Sequence, residues 1–246
     1  RKGILDLERS FLVSVPTASG KTLIAELLML RSLLERGGKC LYIVPLRALA
    51  SEKAEEFKRY ERLGIRCAIS TGDYDTTDSW LAEYQIVVTT SEKADSLLRH
   101  NAPWLRDVKV LVADEIHLIH DAGRGPTLEV TIARLRHLNP QILVLGLSAT
   151  VKNAEEIAAW LGAELVRSDW RPVPLREGVY YDGEILFSDS KVEKIEEGEK
   201  APPLALALDV VKTKGQGLIF VNTRAGAERT DAGTEVVAPD DPSERR

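Results

Sequence analysis

Residues 11–22 read Phe11-Leu12-Val13-Ser14-Val15-Pro16-Thr17-Ala18-Ser19-Gly20-Lys21-Thr22, and an amphipathic stretch follows to Arg36. An apolar run, a loop of small residues and a periodic stretch predict strand, turn and helix. The residue types suit one task. Ala18, Ser19 and Gly20 are small enough for backbone N–H groups to close round a phosphate. A helix beginning near Gly20 turns its positive end toward that anion. Lys21 can reach the outer phosphates, and Thr22 can offer a hydroxyl to Mg²⁺. The strict phosphate-loop pattern asks for glycine where Val15 stands.

A second stretch supports the first. Val108–Ala113 is an apolar run that ends in Asp114-Glu115-Ile116-His117, 93 residues beyond Lys21. An aspartate at the end of a buried strand suits a metal-holding role beside a nucleotide. Glu115 is placed to orient and deprotonate an attacking water.

Further strands are expected at Cys40–Val44, Arg66–Ser70, Gln85–Thr89, Ile142–Leu147 and Glu164–Arg167. Helices are expected at Lys21–Arg36, Leu46–Leu63, Ser91–His100, Thr127–Leu138 and Asn153–Leu161. Gly37-Gly38 should close the first helix. Asn153 and Glu156 should form a capping box on the last. The alternation predicts βαβ units: an α/β fold with a mainly parallel sheet covered by helices on both faces. In such sheets ligands gather at the carboxyl ends of the strands. The polar clusters Pro16–Thr22, Pro45–Arg47, Thr71–Asp73, Thr90–Lys93, Asp114–His117 and Ser148–Thr150 all fall there.

The chain has 246 residues, 44% of them hydrophobic and 29% charged, enough for one large core without disulfides. No apolar run approaches the roughly 20 residues that span a bilayer. Cys40 and Cys67 sit in apolar runs and read as buried, reduced thiols of a cytoplasmic protein. Net charge is −5, which excludes a simple basic nucleic-acid coat but allows a local basic groove. Arg171-Pro172-Val173-Pro174 cannot be helix interior and reads as a domain crossover. The expected organisation is a first domain over 1–170, a linker over 171–200, the start of a second domain over 201–230 and a disordered tail over 231–246. Within it, Leu175–Tyr181 is extended, Ser188–Lys200 is a charged stretch, and Pro203–Lys214 and Gly217–Val221 form a helix and a strand.

Together the polar clusters resemble the motor domain of superfamily-two helicases. Pro16–Thr22 resembles motif I and Pro45–Ala50 motif Ia. Thr71–Asp75 and Thr90–Lys93 resemble the motif Ib region. Asp114–His117 is a DExH form of motif II, Ser148-Ala149-Thr150 resembles motif III, and Gly217–Arg224 resembles motif IV. Ala158–Ala163 and Trp170–Leu175 place the resemblance in the Superkiller-like branch, beside the archaeal Hjm-type repair helicases.

The resemblance implies a RecA-like motor domain plus the start of a second. It implies an ATP-dependent 3′-to-5′ DNA helicase acting at stalled or branched forks. An RNA-acting helicase and a non-catalytic nucleotide- and strand-binding module are the alternatives. ATP and Mg²⁺ are the implied cofactors. Single-stranded or forked DNA is the implied partner, with RNA open; a monomer without a membrane, and replication or repair proteins as further partners, complete the implication. Lys21, Asp114, Glu115 and His117 would act on the nucleotide, with Thr22 and Asp114 toward the metal. Arg47, Thr71, Gly72, Thr90, Lys93, Asn222, Thr223 and Arg224 would touch strand phosphates. Ser148, Ala149 and Thr150 would couple nucleotide state to strand movement. The family's arginine fingers lie past motif IV, and only Arg245 and Arg246 follow Arg229 here, so slow hydrolysis is expected of this stretch alone.

Overall fold

The computed structural model describes residues 3–72, 77–195, 201–221, 223 and 225–226. The chain divides into two compact units, Arg1–Pro172 and Val173–Arg246.

The first unit is built on seven strands: β1 (Phe11–Ser14), β2 (Lys39–Val44), β3 (Cys67–Ser70), β4 (Ile86–Thr90), β5 (Val108–Ala113), β6 (Leu143–Ser148) and β7 (Glu164–Arg167). They form one sheet in the order β3-β4-β2-β5-β6-β1-β7. Every pairing in it is parallel. Five helices connect them: α1 (Lys21–Arg36), α2 (Arg47–Phe57), α3 (Ser91–Arg99), α4 (Gly125–Leu138) and α5 (Ala154–Leu161). All seven expected strands and all five expected helices of this unit are present; Lys21–Arg36, Val108–Ala113 and Glu164–Arg167 match end for end, and the others shift at one or both ends. The expected long helix after Pro45 is α2 continued by a 3-10 turn over Lys58–Leu63.

Burial on both faces explains why the strands are apolar throughout rather than alternating. Leu41, Ile43, Leu111 and Ala113 face one core layer with α3, α4 and α5. Cys40, Tyr42, Val44, Val110 and Val112 face the other with α1 and α2. Gly37 ends α1 with positive φ, its N–H bonding to Leu33 O. The capping box at Asn153 does not form: that side chain makes no cap bond and instead meets His120.

Neither cysteine is in a disulfide. Burial pushes the Cys67 thiol up to about 12 and raises Cys40 as well. Both thiols stay protonated in the native state, so a thiol reagent at pH 8 should label Cys67 ~10³-fold more slowly than a free cysteine of pKa about 8.5. Stopped-flow labelling checks this, and fast native labelling would contradict the buried environment. Above the unfolded pKa the native state binds more protons than the unfolded one. Stability should therefore fall as pH rises past about 9.

The stretch expected as crossover and linker holds a small sheet. β8 (Gly178–Tyr181), β9 (Glu184–Phe187) and β10 (Val192–Lys194) form an antiparallel meander. The turn between β8 and β9 is Asp182-Gly183, with φ 48° and 79°. Two successive positive φ values are what a two-residue hairpin turn requires, and Asp-Gly supplies them at low steric cost. Helix α6 (Pro202–Lys212) follows, close to its expected place. Gly217–Val221, expected as a strand, carries none. Leu218 and Phe220 are 78% and 86% exposed, and no described strand lies alongside to take their hydrogen bonds. The expected disordered tail, 231–246, lies outside the described residues.

Candidate nucleotide site and strand-facing residues

The carboxyl ends of β1, β5 and β6 meet at the middle of the sheet and bring the polar clusters together. The loop from β1 to α1 turns through Ala18 and Gly20, both with positive φ, at 61° and 86°. At Gly20 any side chain would be strained, which accounts for glycine there. Lys21 begins α1 and is 9% exposed. Its Nζ donates to Val15 O at 3.2 Å and to Pro16 O at 3.4 Å, so the ammonium lies within the loop. Ser19 Oγ donates to Pro16 O, tightening the same turn.

Val15, the departure from the strict pattern, is explained by packing. Its side chain is buried in the core layer under α1, and its N–H bonds Ser148 O at 3.2 Å. Ser14 Oγ reaches Ala149 O at 3.1 Å. The phosphate loop is thereby tied to the motif III residues across the β1–β6 pair.

Asp114 follows β5 directly. Its carboxylate accepts from the Tyr42 hydroxyl at 2.9 Å and from the Glu115 N–H at 3.0 Å. Tyr42 is fully buried, and burial, with the neighbouring Asp114 carboxylate, raises its pKa far above the usual phenol value. The hydroxyl therefore remains a donor to Asp114. Thr22 is near enough to the same phenol to oppose part of that rise. The Thr22 hydroxyl and the Asp114 carboxylate thus both lie beside the Tyr42 phenol, which places two hard oxygen donors in one neighbourhood. That donor set fits Mg²⁺.

Glu115 adopts left-handed φ 49° and ψ 43°. Its Oε2 lies 3.3 Å from His117 Nδ1, which is also 3.5 Å from Ser148 Oγ. His117 therefore bridges the acidic motif and the Ser148–Thr150 turn. Ser148 is fully buried and also donates to Ala149 O at 2.8 Å, whereas Thr150 is exposed.

The strand-facing group divides. Arg47 opens α2, and its guanidinium lies 3.8 Å from where a Cβ on Gly72 would stand, so Arg47, Thr71 and Gly72 share one patch. Thr90 and Lys93 do not belong to it. Thr90 is 3% exposed and its hydroxyl accepts the Lys93 N–H as the N-cap of α3. Lys93 is 1% exposed, and its ammonium pairs with Asp78 at 3.1 Å. Both side chains are thus engaged within the unit rather than exposed beside Arg47. Thr223 is exposed, while Asn222 and Arg224 lie outside the described residues.

Two residues join the site that motif spacing leaves out. Tyr42 is one. Lys53 is the other: its Nζ lies 3.4 Å from Thr22 Oγ1 and 2.9 Å from Glu56 Oε2.

Comparison with known proteins agrees with this geometry. Residues 2–157 match the DEAD/DEAH box helicase family. The chain is 52% identical over 229 residues to "ATP-dependent DNA helicase Hel308" of Thermococcus kodakarensis, covering 93% of this chain and 20% of that protein. The same-named proteins of Pyrococcus abyssi and Methanocella arvoryzae are 53% and 48% identical, each covering 93% of this chain and 31% of the relative. The chain thus spans a third or less of these relatives' length. The crystal structure of the DUF1998 helicase MrfA superposes with a TM-score of 0.71 at 25% identity, over 92% of this chain and 35% of that one. With a phosphate loop and a DExH motif meeting on a parallel sheet, and a family match across most of the first unit, this chain belongs to the DEAD/DEAH box helicases.

Proposed function

We propose that this stretch is the nucleotide-binding motor domain of an ATP-dependent 3′-to-5′ DNA helicase that works at stalled or branched forks. The observation that carries the proposal is the placement of Lys21 and Thr22 after β1 and of Asp114 and Glu115 after β5 at one sheet edge, with the Tyr42 hydroxyl bonded to Asp114. The name printed for the archaeal relatives supports DNA as the strand.

In this reading the N–H groups of Ala18–Thr22 and the Lys21 ammonium take the phosphates of ATP. Thr22 Oγ1 and Asp114 would hold Mg²⁺, which when bound would neutralise phosphate charge. Glu115 orients a water and accepts its proton. His117 senses Glu115 on one side and Ser148 on the other, which makes the Ser148-Ala149-Thr150 turn responsive to the nucleotide. Arg47, Thr71 and Gly72 hold strand phosphates, a contact that positions the strand without reading sequence. By the same resemblance Asn222, Thr223 and Arg224 are assigned phosphate contacts of their own. No described helix is long and apolar enough to cross a membrane. Cytoplasmic placement, a monomeric state and replication or repair partners are part of the same proposal.

Lys21→Ala should weaken ADP binding roughly 10–150-fold, the worth of a charge-assisted hydrogen bond. Isothermal calorimetry with Mg-ADP reads it, and equal affinity with and without Lys21 removes the phosphate-loop assignment. ATP turnover with single-stranded DNA against single-stranded RNA separates the strand classes. Stimulation by RNA alone would reassign the substrate.

A further inference from the structure

We infer that Lys53 is a positioning residue for the Thr22 hydroxyl, and that through it helix α2 links strand-facing Arg47 to the nucleotide loop. The inference rests on the phosphate-loop reading above.

Lys53 lies outside both the phosphate loop and the acidic motif. Its side chain is only 14% exposed although it carries a charge. Glu56, one turn further along α2, balances that charge at 2.9 Å. An ammonium has three donors. One goes to Glu56 and one reaches Thr22 Oγ1 at 3.4 Å. Accepting that bond fixes how the Thr22 oxygen is turned and leaves a lone pair for a cation. Tyr42 does the equivalent for Asp114 Oδ2 at 2.9 Å. Lys53 and Tyr42 therefore form an outer layer behind the two oxygen donors. Groups in that position orient the ligands they touch and tune what those ligands bind.

The contact also joins two helices. Further down the same seam Arg59 and Tyr60 both hydrogen-bond Glu26 of α1, which is 3% exposed. Two polar clasps thus fasten α1, which begins at Lys21, to α2 and its 3-10 extension. The first residue of α2 is Arg47, beside Gly72. A displacement of α2 by a strand at Arg47 is delivered to Thr22 through the upper clasp.

The test titrates a fluorescent ADP against the chain at a series of Mg²⁺ concentrations and in EDTA, for unaltered protein, Lys53→Met and Lys53→Arg. Lys53→Met should raise the Mg²⁺ midpoint about 10–100-fold, as loss of an outer-layer partner does, with metal-free ADP affinity unchanged. Lys53→Arg keeps the charge and a donor and should recover most of the midpoint. Single-stranded DNA should shift the midpoint in unaltered protein and not in Lys53→Met. Equal midpoints for Lys53→Met and unaltered protein overturn the inference. So does an equal loss of ADP affinity in EDTA, which would place Lys53 on the phosphates instead. ADP binding that ignores Lys21→Ala is a separate result and removes the phosphate-loop reading itself.

Discussion

Glu115→Gln is expected to cut ATP turnover by about 10²–10⁴-fold while leaving Mg-ADP affinity nearly unchanged. The amide keeps the shape of the side chain but cannot accept a proton from water. Lys21 and Asp114, the groups assigned to phosphate and metal, stay as they are. The backbone of Glu115 is held in the left-handed region, which costs a non-glycine residue roughly 1–2 kcal/mol. The bond from its N–H to Asp114 Oδ1 and the Leu118 N–H donated to its carbonyl help to hold it there. In that conformation the carboxylate lies 3.3 Å from His117 Nδ1. Single-turnover hydrolysis with a parallel binding titration separates the two effects. Turnover unchanged in Glu115→Gln would assign the base elsewhere, and a parallel loss of ADP affinity would give Glu115 a binding role.

Lys93→Ala should destabilise the first unit by about 3 kcal/mol, toward the lower end of what breaking a buried ion pair costs. The Lys93 side chain is 2% exposed and that of Asp78 14%, so removing the ammonium leaves a carboxylate largely cut off from water. The Ser70 hydroxyl at 2.6 Å continues to satisfy Asp78 and moderates the loss. Urea denaturation gives the stability change, and strand affinity measured below the unfolding transition should hold. The opposite pattern, intact stability with weakened strand binding, would restore Lys93 to the phosphate-contacting group.

Those two residues show where sequence is informative and where it is not. Glu115 was legible because its chemistry is local: an acidic pair at the end of an apolar strand has few other uses. The phosphate loop was legible for the same reason, and α1 begins and ends where its loop and its Gly37 require. The ion pair of Lys93 is not legible because its partner, Asp78, lies in a separate turn before β4, and nothing in the first turn of α3 announces that pairing. Tyr42 reads as an ordinary strand aromatic, since the carboxylate that gives its hydroxyl a role sits on a neighbouring strand 72 residues away. Lys53 reads as one charge on a polar helix face for the same reason. The β8–β9 hairpin is a different case. Asp182-Gly183 is a strong turn signal between branched and aromatic residues, and the charged residues around it masked the meander. Gly217–Val221 has a strand's composition without a strand's neighbours, and composition alone cannot supply hydrogen-bond partners.

The strand order has a bearing on synthesis. β1 carries the phosphate loop, yet its two neighbours are β6 and β7: Phe11 stands beside Leu145 on one side and Glu164 on the other. As the chain leaves the ribosome, β1 emerges well before β6 and β7 and has neither sheet neighbour until the far end of the unit follows. At about 5–20 residues per second that wait is on the order of ten seconds. During it an apolar strand and its loop are unpaired, and the long loop must close before any β1 contact repays the entropy. β2, β3, β4 and β5 can assemble earlier around their own crossovers. The nucleotide loop is thus the last part of the sheet to be locked in. Nascent chains released before about Arg167 should fail to retain on ADP resin even though most of the sheet is already translated.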